Sequence, residues 1–381
     1  MVLVKLQRIF VFMILTSPLA FIVIYNLRFI SRGPSGLSSL RDLNGASQRT
    51  LKQDMNCLPL AKRLHVQTIP QRECGAPHVV VHSGGRLGNN MCQYVSLFLL
   101  RHIYGIRVSI KMDMKAKLSQ AFRNITLPIQ DSKCFTGHTK STSYNNIYRM
   151  LYTAAKETIM NTTKNLTVKP LLKNSYYAFD HPCPKHLIMA YRDKARQVFT
   201  FRDEVLNRAE DNINKALQTV NASYTRKDVT LITVHVRRGD YAQYIKKHFK
   251  MTLLDEVYFK QAFDYFRNRV KNPVFLIVSN DHPWCTKHLQ GKDAVVAGNM
   301  SQPILDMAVL AQGDHTITSY GTFSFMGAIL SYGNFTHPLI HNKKYTDFNC
   351  VDFPGLHYIA SNTNTSNEHN ISTHIQARGK N

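Results

Sequence analysis

VHVRRGDY, residues 234–241, closes the run DVTLITVHV that begins at Asp228, and its reading decides the fold. The apolar, β-branched residues before it have the length and composition of a buried strand. The strand then ends on two arginines, a glycine and an aspartate. A surface turn would account for them. So would the carboxyl end of a parallel strand, which is where open α/β sheets hold their ligands. Arginine is a planar fork of donors that fits phosphate oxygens. A charge-assisted hydrogen bond contributes about 1.5–3 kcal/mol, so two could supply most of the ~8 kcal/mol of a micromolar site. His235 should share a strand face with Arg237 by alternation. Asp240 suits orienting an arginine better than serving as a base.

Outward from this strand the chain alternates strand and helix. HVVVHS (78–83) reads as a strand, GGRLGNN (84–90) as a loop, MCQYVSLFLLRHIYG (91–105) as a helix with a glycine cap, and RVSIKM (107–112) as another strand. Residues 115–200 are less legible, and 203–219 form a polar amphipathic helix. After 229–236 come a helix over 252–270 and strands at 273–280 and 293–298. A helix at 303–313, a strand at 315–319 and a helix at 323–333 complete the pattern. In 252–270, Leu254, Val257, Tyr258, Phe259, Ala262, Phe263 and Phe266 form the inner face. The expected class is α/β with parallel sheets in two halves and a cleft between them.

The first residues place the chain. Ile9 to Leu27 is uncharged over 19 residues, long enough to cross a bilayer as a helix. A cleaved signal peptide competes, but the apolar run passes the Pro18-Leu19-Ala20 site and continues to Ile24, which favours a retained signal-anchor. The expected organisation is a cytosolic tail (1–8), an anchor (9–27), a basic stem (28–74), an α/β domain (75–228), a second α/β domain (229–354) and a loose tail (355–381). Sequons at Asn124, Asn161, Asn165, Asn221, Asn299, Asn334, Asn364 and Asn370 fit a lumenal head. Seven cysteines, all after the anchor, permit up to three bridges there, with no pairing fixed by spacing. The net charge of +24 calls for an anionic partner. Nucleic acid fits poorly, because the basic residues are scattered and no zinc-finger, RNA-binding or basic-zipper motif occurs.

The polar clusters fall at the carboxyl ends of the expected strands. Gly85 and Gly88 let backbone approach a ligand, Arg86 adds a cation, and Asn89 and Asn90 suit capping the next helix. Ser279, Asn280 and Asp281 can bond a base or ribose, or cap a turn. Ser319, Gly321, Thr322 and Phe323 lead into a helix whose N–H groups favour anions. Trp284 and the pair His78 and His82 read as structural. No D-x-D or D-x-E, P-loop, H-E-x-x-H or G-x-S-x-G occurs, so the usual acidic site for a metal-bound sugar nucleotide is missing.

In order along the chain, GRLGNNMCQY (85–94), VHVRRGDY (234–241), VSNDHPWC (278–285) and DMAVLAQGDHTITSYGTFSFMG (306–327) resemble the motifs of inverting, GDP-fucose-dependent α-1,2-fucosyltransferases. Asn90 stands where that family usually has glutamine, and Met326 where tryptophan is common. The resemblance covers about residues 75–350. It implies a GT-B-like fold of two facing Rossmann-type domains and no metal or other cofactor. It implies GDP-fucose as donor, a galactose-ended glycan as acceptor on the first domain, and a Golgi membrane location. Arg237 would hold the donor's diphosphate with Arg238 in support, and Asp240 would complete the catalytic group. His235 would shape that site. Ser279 to Asp281 and Ser319 to Phe323 would line the nucleotide pocket, with Arg86 and Asn89 approaching from the facing half. For a general base, Glu256 and Asp113 are the available guesses. A protein O-fucosyltransferase and an inactive, membrane-anchored carbohydrate-binding or adhesion protein are the alternatives.

Overall fold

A computed structural model describes residues 77–131, 139–161, 171–298, 301–340 and 355–361, and the side chains of 156–161 are not among those described. Among these residues no helix is long and apolar enough to cross a membrane. The apolar run 9–27 and the stem 28–74 lie outside them.

Two wholly parallel sheets form the frame. The first has the order β2 (Arg107–Ser109), β1 (His78–Val81), β4 (Ser175–Ala178), β3 (Thr139–Thr142). Its helices are α1 (Leu87–Tyr104), α2 (Met112–Ser119), α3 (Tyr144–Asn161), α4 (Lys185–Ala190) and α5 (Arg192–Val198). α6 (Asp203–Val220) leads to the second sheet. That sheet has the order β10 (Leu356–Ala360), β9 (Phe335–Leu339), β8 (His315–Ile317), β5 (Thr230–Val236), β6 (Pro273–Ser279), β7 (Ala294–Val296). Its helices are α7 (Tyr241–Phe249), α8 (Glu256–Arg267), α9 (His282–His288), α10 (Pro303–Ala311) and α11 (Gly321–Leu330).

Strand alternation sorts the second sheet's side chains into two cores. Leu231, Val274, Leu276 and Val278 join α6, α10 and α11 in a core continuous with the first sheet's. Ile232, Val234, Val236, Phe275 and Ile277 face the other way, against the aromatic side of α8. In α8, Tyr258, Phe259, Ala262, Phe263 and Phe266 are buried as the periodicity predicts, whereas Val257 faces solvent.

Several boundaries differ from the sequence reading. α1 starts at Leu87, so half of GGRLGNN is its first turn. Residues 241–249, unassigned from sequence, form α7, closed by Lys250 in the left-handed region (φ 56°). Leu356–Ala360, read as the start of a loose tail, is an edge strand paired with β9. Cys92 in α1 is bridged to Cys183 just before α4, and Cys285 is a buried free thiol. Asn124, Asn221 and Asn334 are exposed, Asn161 ends α3, and Asn165, Asn299, Asn364 and Asn370 lie outside the described residues.

Candidate active site

The carboxyl ends of strands from both sheets open on one cavity of about 1070 Å³. β5 delivers its exit residues to it by alternation. His235 and Arg237 continue the face of Leu231 and Thr233 and line the cavity. Both bond one hydroxyl: Ser319 Oγ lies 3.2 Å from His235 Nδ1 and accepts the Arg237 N–H at 3.0 Å. Burial, then the nearby charge of Arg237, holds the His235 imidazole down to about 3, so the ring is neutral.

Arg237 Nη2 donates to Asp240 Oδ1 at 2.6 Å. The other oxygen of Asp240 accepts from Arg86 Nη2, across the cleft, at 3.2 Å. One carboxylate thus meets a guanidinium from each half, Arg237 half-buried and Arg86 exposed. Tyr241 lies under Arg237, 5.4 Å from guanidinium carbon to ring centroid.

Arg238, expected beside Arg237 on the anion, points to the opposite side of the strand and does not line the cavity. Its guanidinium sits 3.8 Å over the Trp284 ring, donates to Leu254 O at 3.1 Å, and pairs with Asp281 at 3.3 Å. Adjacent residues leaving a strand cannot share a face, and that is the physical reason the pair divides. Asn280 clamps the Arg238 main chain, accepting its N–H at 2.8 Å and donating to its carbonyl at 3.0 Å. Asp281 caps α9 by accepting the Trp284 N–H at 3.2 Å. Of this triplet, Ser279 and Asn280 reach the cavity wall and Asp281 does not.

Two helices begin at the cleft. Arg86 is the N-cap residue of α1 and Tyr320 that of α11, and neither helix has a side-chain cap bond or an acidic residue in its first turn. Their N–H groups and dipoles therefore present positive potential to the cleft. Gly88 allows the two starts to touch, since a Cβ there would stand 2.6 Å from Phe323 N. Beside it Thr322 Oγ1 donates to Asn89 Oδ1 at 2.6 Å. Gly85 and Gly321 take positive φ of 79° and 84°, open to glycine without strain.

Asn89 and Asn90 are not caps. Asn90 Nδ2 reaches back to the carbonyls of Gly85 and Arg86, each at 3.0 Å, and Gln93 Nε2 donates to Gly84 O at 3.0 Å. These two amides fix the loop that carries Arg86. Gln93 lies inside an apolar helix, where periodicity gives a polar residue no role. The same holds for Asp306, a buried carboxylate on the cavity wall in apolar α10. A polar residue on such a face was the available signal. His82 lies beyond β1, with its Nδ1 2.8 Å from the Tyr177 hydroxyl.

The two guessed bases stand elsewhere. Asp113 accepts Ser83 Oγ at 2.7 Å and Lys117 Nζ at 3.4 Å. Slight burial works against ionisation there, but these partners prevail and its carboxyl is lowered. Glu256 opens α8, lowered first by its own backbone N–H, with His288 3.8 Å away. Neither lines the cavity. Among the described residues, no three His, Cys, Asp or Glu side chains are grouped to hold a metal ion.

The galactoside alpha-(1,2)-fucosyltransferase 1 of Oryctolagus cuniculus is 33% identical over 268 residues, 68% of this chain and 67% of that one. Its Rattus norvegicus counterpart is 31% identical over 296 residues, 74% of each chain. The Homo sapiens protein of that name is 32% identical over 268 residues, 68% of each. Among solved structures, a mutant of Arabidopsis thaliana FUT1 in complex with GDP aligns with a TM-score of 0.42 at 11% identity, over 80% of each chain. The fucosyltransferase NodZ from Bradyrhizobium aligns with a TM-score of 0.39 at 13% identity, over 67% of this chain and 93% of that one. Scores of this size mark a distant likeness and decide neither fold nor function. The glycosyl transferase family 11 model matches residues 52–350, every segment that builds the cleft, and the chain belongs to that family.

Proposed function

We propose that this protein transfers L-fucose from GDP-fucose to the 2-hydroxyl of a terminal galactose, with inversion at the anomeric carbon and without a metal. The single observation that carries this reading is the convergence of Arg237 and Arg86 on Asp240, between two uncapped helix starts. The donor's diphosphate would lie there. Displacement by the acceptor hydroxyl passes through an oxocarbenium-like transition state, and negative charge grows on the departing GDP. Fixed guanidiniums and helix N–H groups stabilise that charge with no reorganisation, the service a metal performs elsewhere. Neutral His235 and Ser319 position the Arg237 main chain, and Asp240 keeps both forks aimed. Ser279, Asn280 and Asp306 line the wall that would take the nucleoside. Arg238 acts from behind, fixing the strand exit against Trp284.

The relatives' names support a galactoside acceptor and the α-1,2 linkage. The two facing parallel sheets support a GT-B-like arrangement. The apolar run 9–27 supports a single-pass anchor in the Golgi membrane with a lumenal head. A Cys92–Cys183 bridge and exposed sequons accord with an oxidising lumen.

The test is to incubate the full-length chain in EDTA with GDP-fucose and an array of galactose-ended oligosaccharides. Fucose should appear on the galactose 2-hydroxyl in α linkage. Folded protein that modifies none of them refutes the reading, and activity only on adding manganese refutes the metal-free part.

A further inference from the structure

Transfer to a hydroxyl leaves a proton to be placed, and on the donor side the cavity wall offers Asp240, His235 and Asp306, the last buried in the first turn of α10. Both oxygens of Asp240 accept guanidiniums, and His235 is buried against Ser319. Asp113 and Glu256 do not line the cavity, but His181 does, from the first half, as Arg237 does from the second. It follows the end of β4 and is exposed. Two residues on, Cys183 is bridged to Cys92 in α1, which tethers this segment to the cavity wall.

A second histidine backs it. The rings of His181 and His82 lie edge to face, 5.1 Å apart at 71°. His82 Nδ1 is 2.8 Å from the Tyr177 hydroxyl. Both Nε2 atoms crowd Gly84: a Cβ there would stand 2.7 Å from that of His181 and 3.0 Å from that of His82. Glycine at 84 is therefore what admits the pair. The other charged groups around this part of the cleft are Lys111, whose Nζ lies 5.5 Å from the Tyr177 ring centroid, and Lys117, Lys185, Arg86 and Asp240 on the cavity wall. Asp180, adjacent in sequence, is turned to the Tyr144 N–H at 2.9 Å.

We propose that His181 is the catalytic base. This rests on the fucosyl-transfer reading above. The acceptor O–H proton passes to a ring nitrogen of His181. The hydroxyl oxygen forms its bond to the anomeric carbon as the bond from that carbon to the diphosphate oxygen breaks. That electron pair leaves with GDP, and the imidazolium returns its proton to solvent.

The experiment measures transfer to a galactoside across the pH range for the full-length chain and for His181→Ala and His181→Gln, alongside GDP binding and slow hydrolysis of GDP-fucose by water. Both variants should bind GDP as the parent does, which also reports that they fold. Their transfer rate should fall roughly 10²–10⁴-fold, the usual worth of a positioned base. The acid-side limb of the parent's pH profile should vanish, and added imidazole should restore part of the rate to His181→Ala. Variants that transfer within about threefold of the parent, or keep the acid limb, overturn the inference. If the parent itself neither binds GDP nor consumes GDP-fucose, the failure lies with the fucosyl-transfer reading, and this inference falls with it.

Discussion

Alanine at position 88 should force apart the two helix starts that frame the cleft. A Cβ there would stand 2.6 Å from Phe323 N, 2.7 Å from Phe323 Cα and 2.9 Å from the Thr322 carbonyl carbon. All three are main-chain atoms, so no side-chain rotation relieves the contact. Carbon atoms pack at about 3.5–4.0 Å, so α1 and α11 must separate by roughly 1 Å. Overpacking of this kind costs about 1–3 kcal/mol. The Asn89–Thr322 hydrogen bond, one residue away, would stretch from 2.6 Å. Arg86, two residues earlier, would be displaced relative to Arg237. A 1 Å misplacement can cost about 10²-fold in rate. Gly88→Ala should therefore lower the melting temperature by several degrees and the transfer rate by about 10²-fold, read by thermal melting and fucosyl transfer on the full-length chain. Gly291→Ala is the control, because nothing lies within 4 Å of a Cβ there. It should leave activity unchanged and, if anything, add about 0.4–1 kcal/mol of stability. A Gly88→Ala protein with the parent's rate and melting temperature would refute the close approach and the reasoning built on it.

Arg192 donates to four carbonyls at the end of α11: Ala328 and Ser331 at 2.7 Å, Ile329 and Gly333 at 3.0 Å. Lysine cannot reproduce that fork, so Arg192→Lys should lose about 2–3 kcal/mol in chemical denaturation, and an unmoved midpoint would contradict the role. His186 has its imidazole lowered by burial to about 4. Unfolding returns it to about 6.5, so between these values the unfolded chain holds the extra proton. Stability should fall as pH drops through that window, by up to about 1.4 kcal/mol per unit from this group, and His186→Asn should flatten the slope.

The second sheet was legible because β5 and β6 are seven-residue apolar runs buried on both faces, a pattern only a parallel sheet explains well. The first sheet was half legible. Thr139–Thr142 is polar and only partly buried at the sheet's edge, so it carries no hydrophobic period. β9 holds a proline, which demotes a strand in any sequence reading, and its neighbour β10 was hidden in a polar tail. At the site, RRGDY pointed to the right strand exit but not to the division of the two arginines. Alternation predicts that division once the strand is in register; the partner that completes it, Trp284, is 46 residues away in sequence. By sequence alone Asp240 suits orienting one arginine. That it orients two, one from each half, depends on a contact spanning 154 residues. His181 carries no local signal at all: a lone histidine in an illegible segment acquires meaning only when β4 brings it to the cleft.

The central claim is that protein cations alone hold the donor's diphosphate, with Arg237 in the cleft and Arg238 behind it. The direct measurement is GDP affinity by calorimetry, in EDTA, for the full-length chain and for Arg237→Ala and Arg238→Ala. Losing a charge-assisted bond of about 1.5–3 kcal/mol should weaken binding of Arg237→Ala roughly 10- to 150-fold with little change in melting temperature. Arg238→Ala should melt earlier yet bind GDP nearly as the parent does. Unchanged affinity in Arg237→Ala, or affinity lost only in Arg238→Ala, would contradict the account.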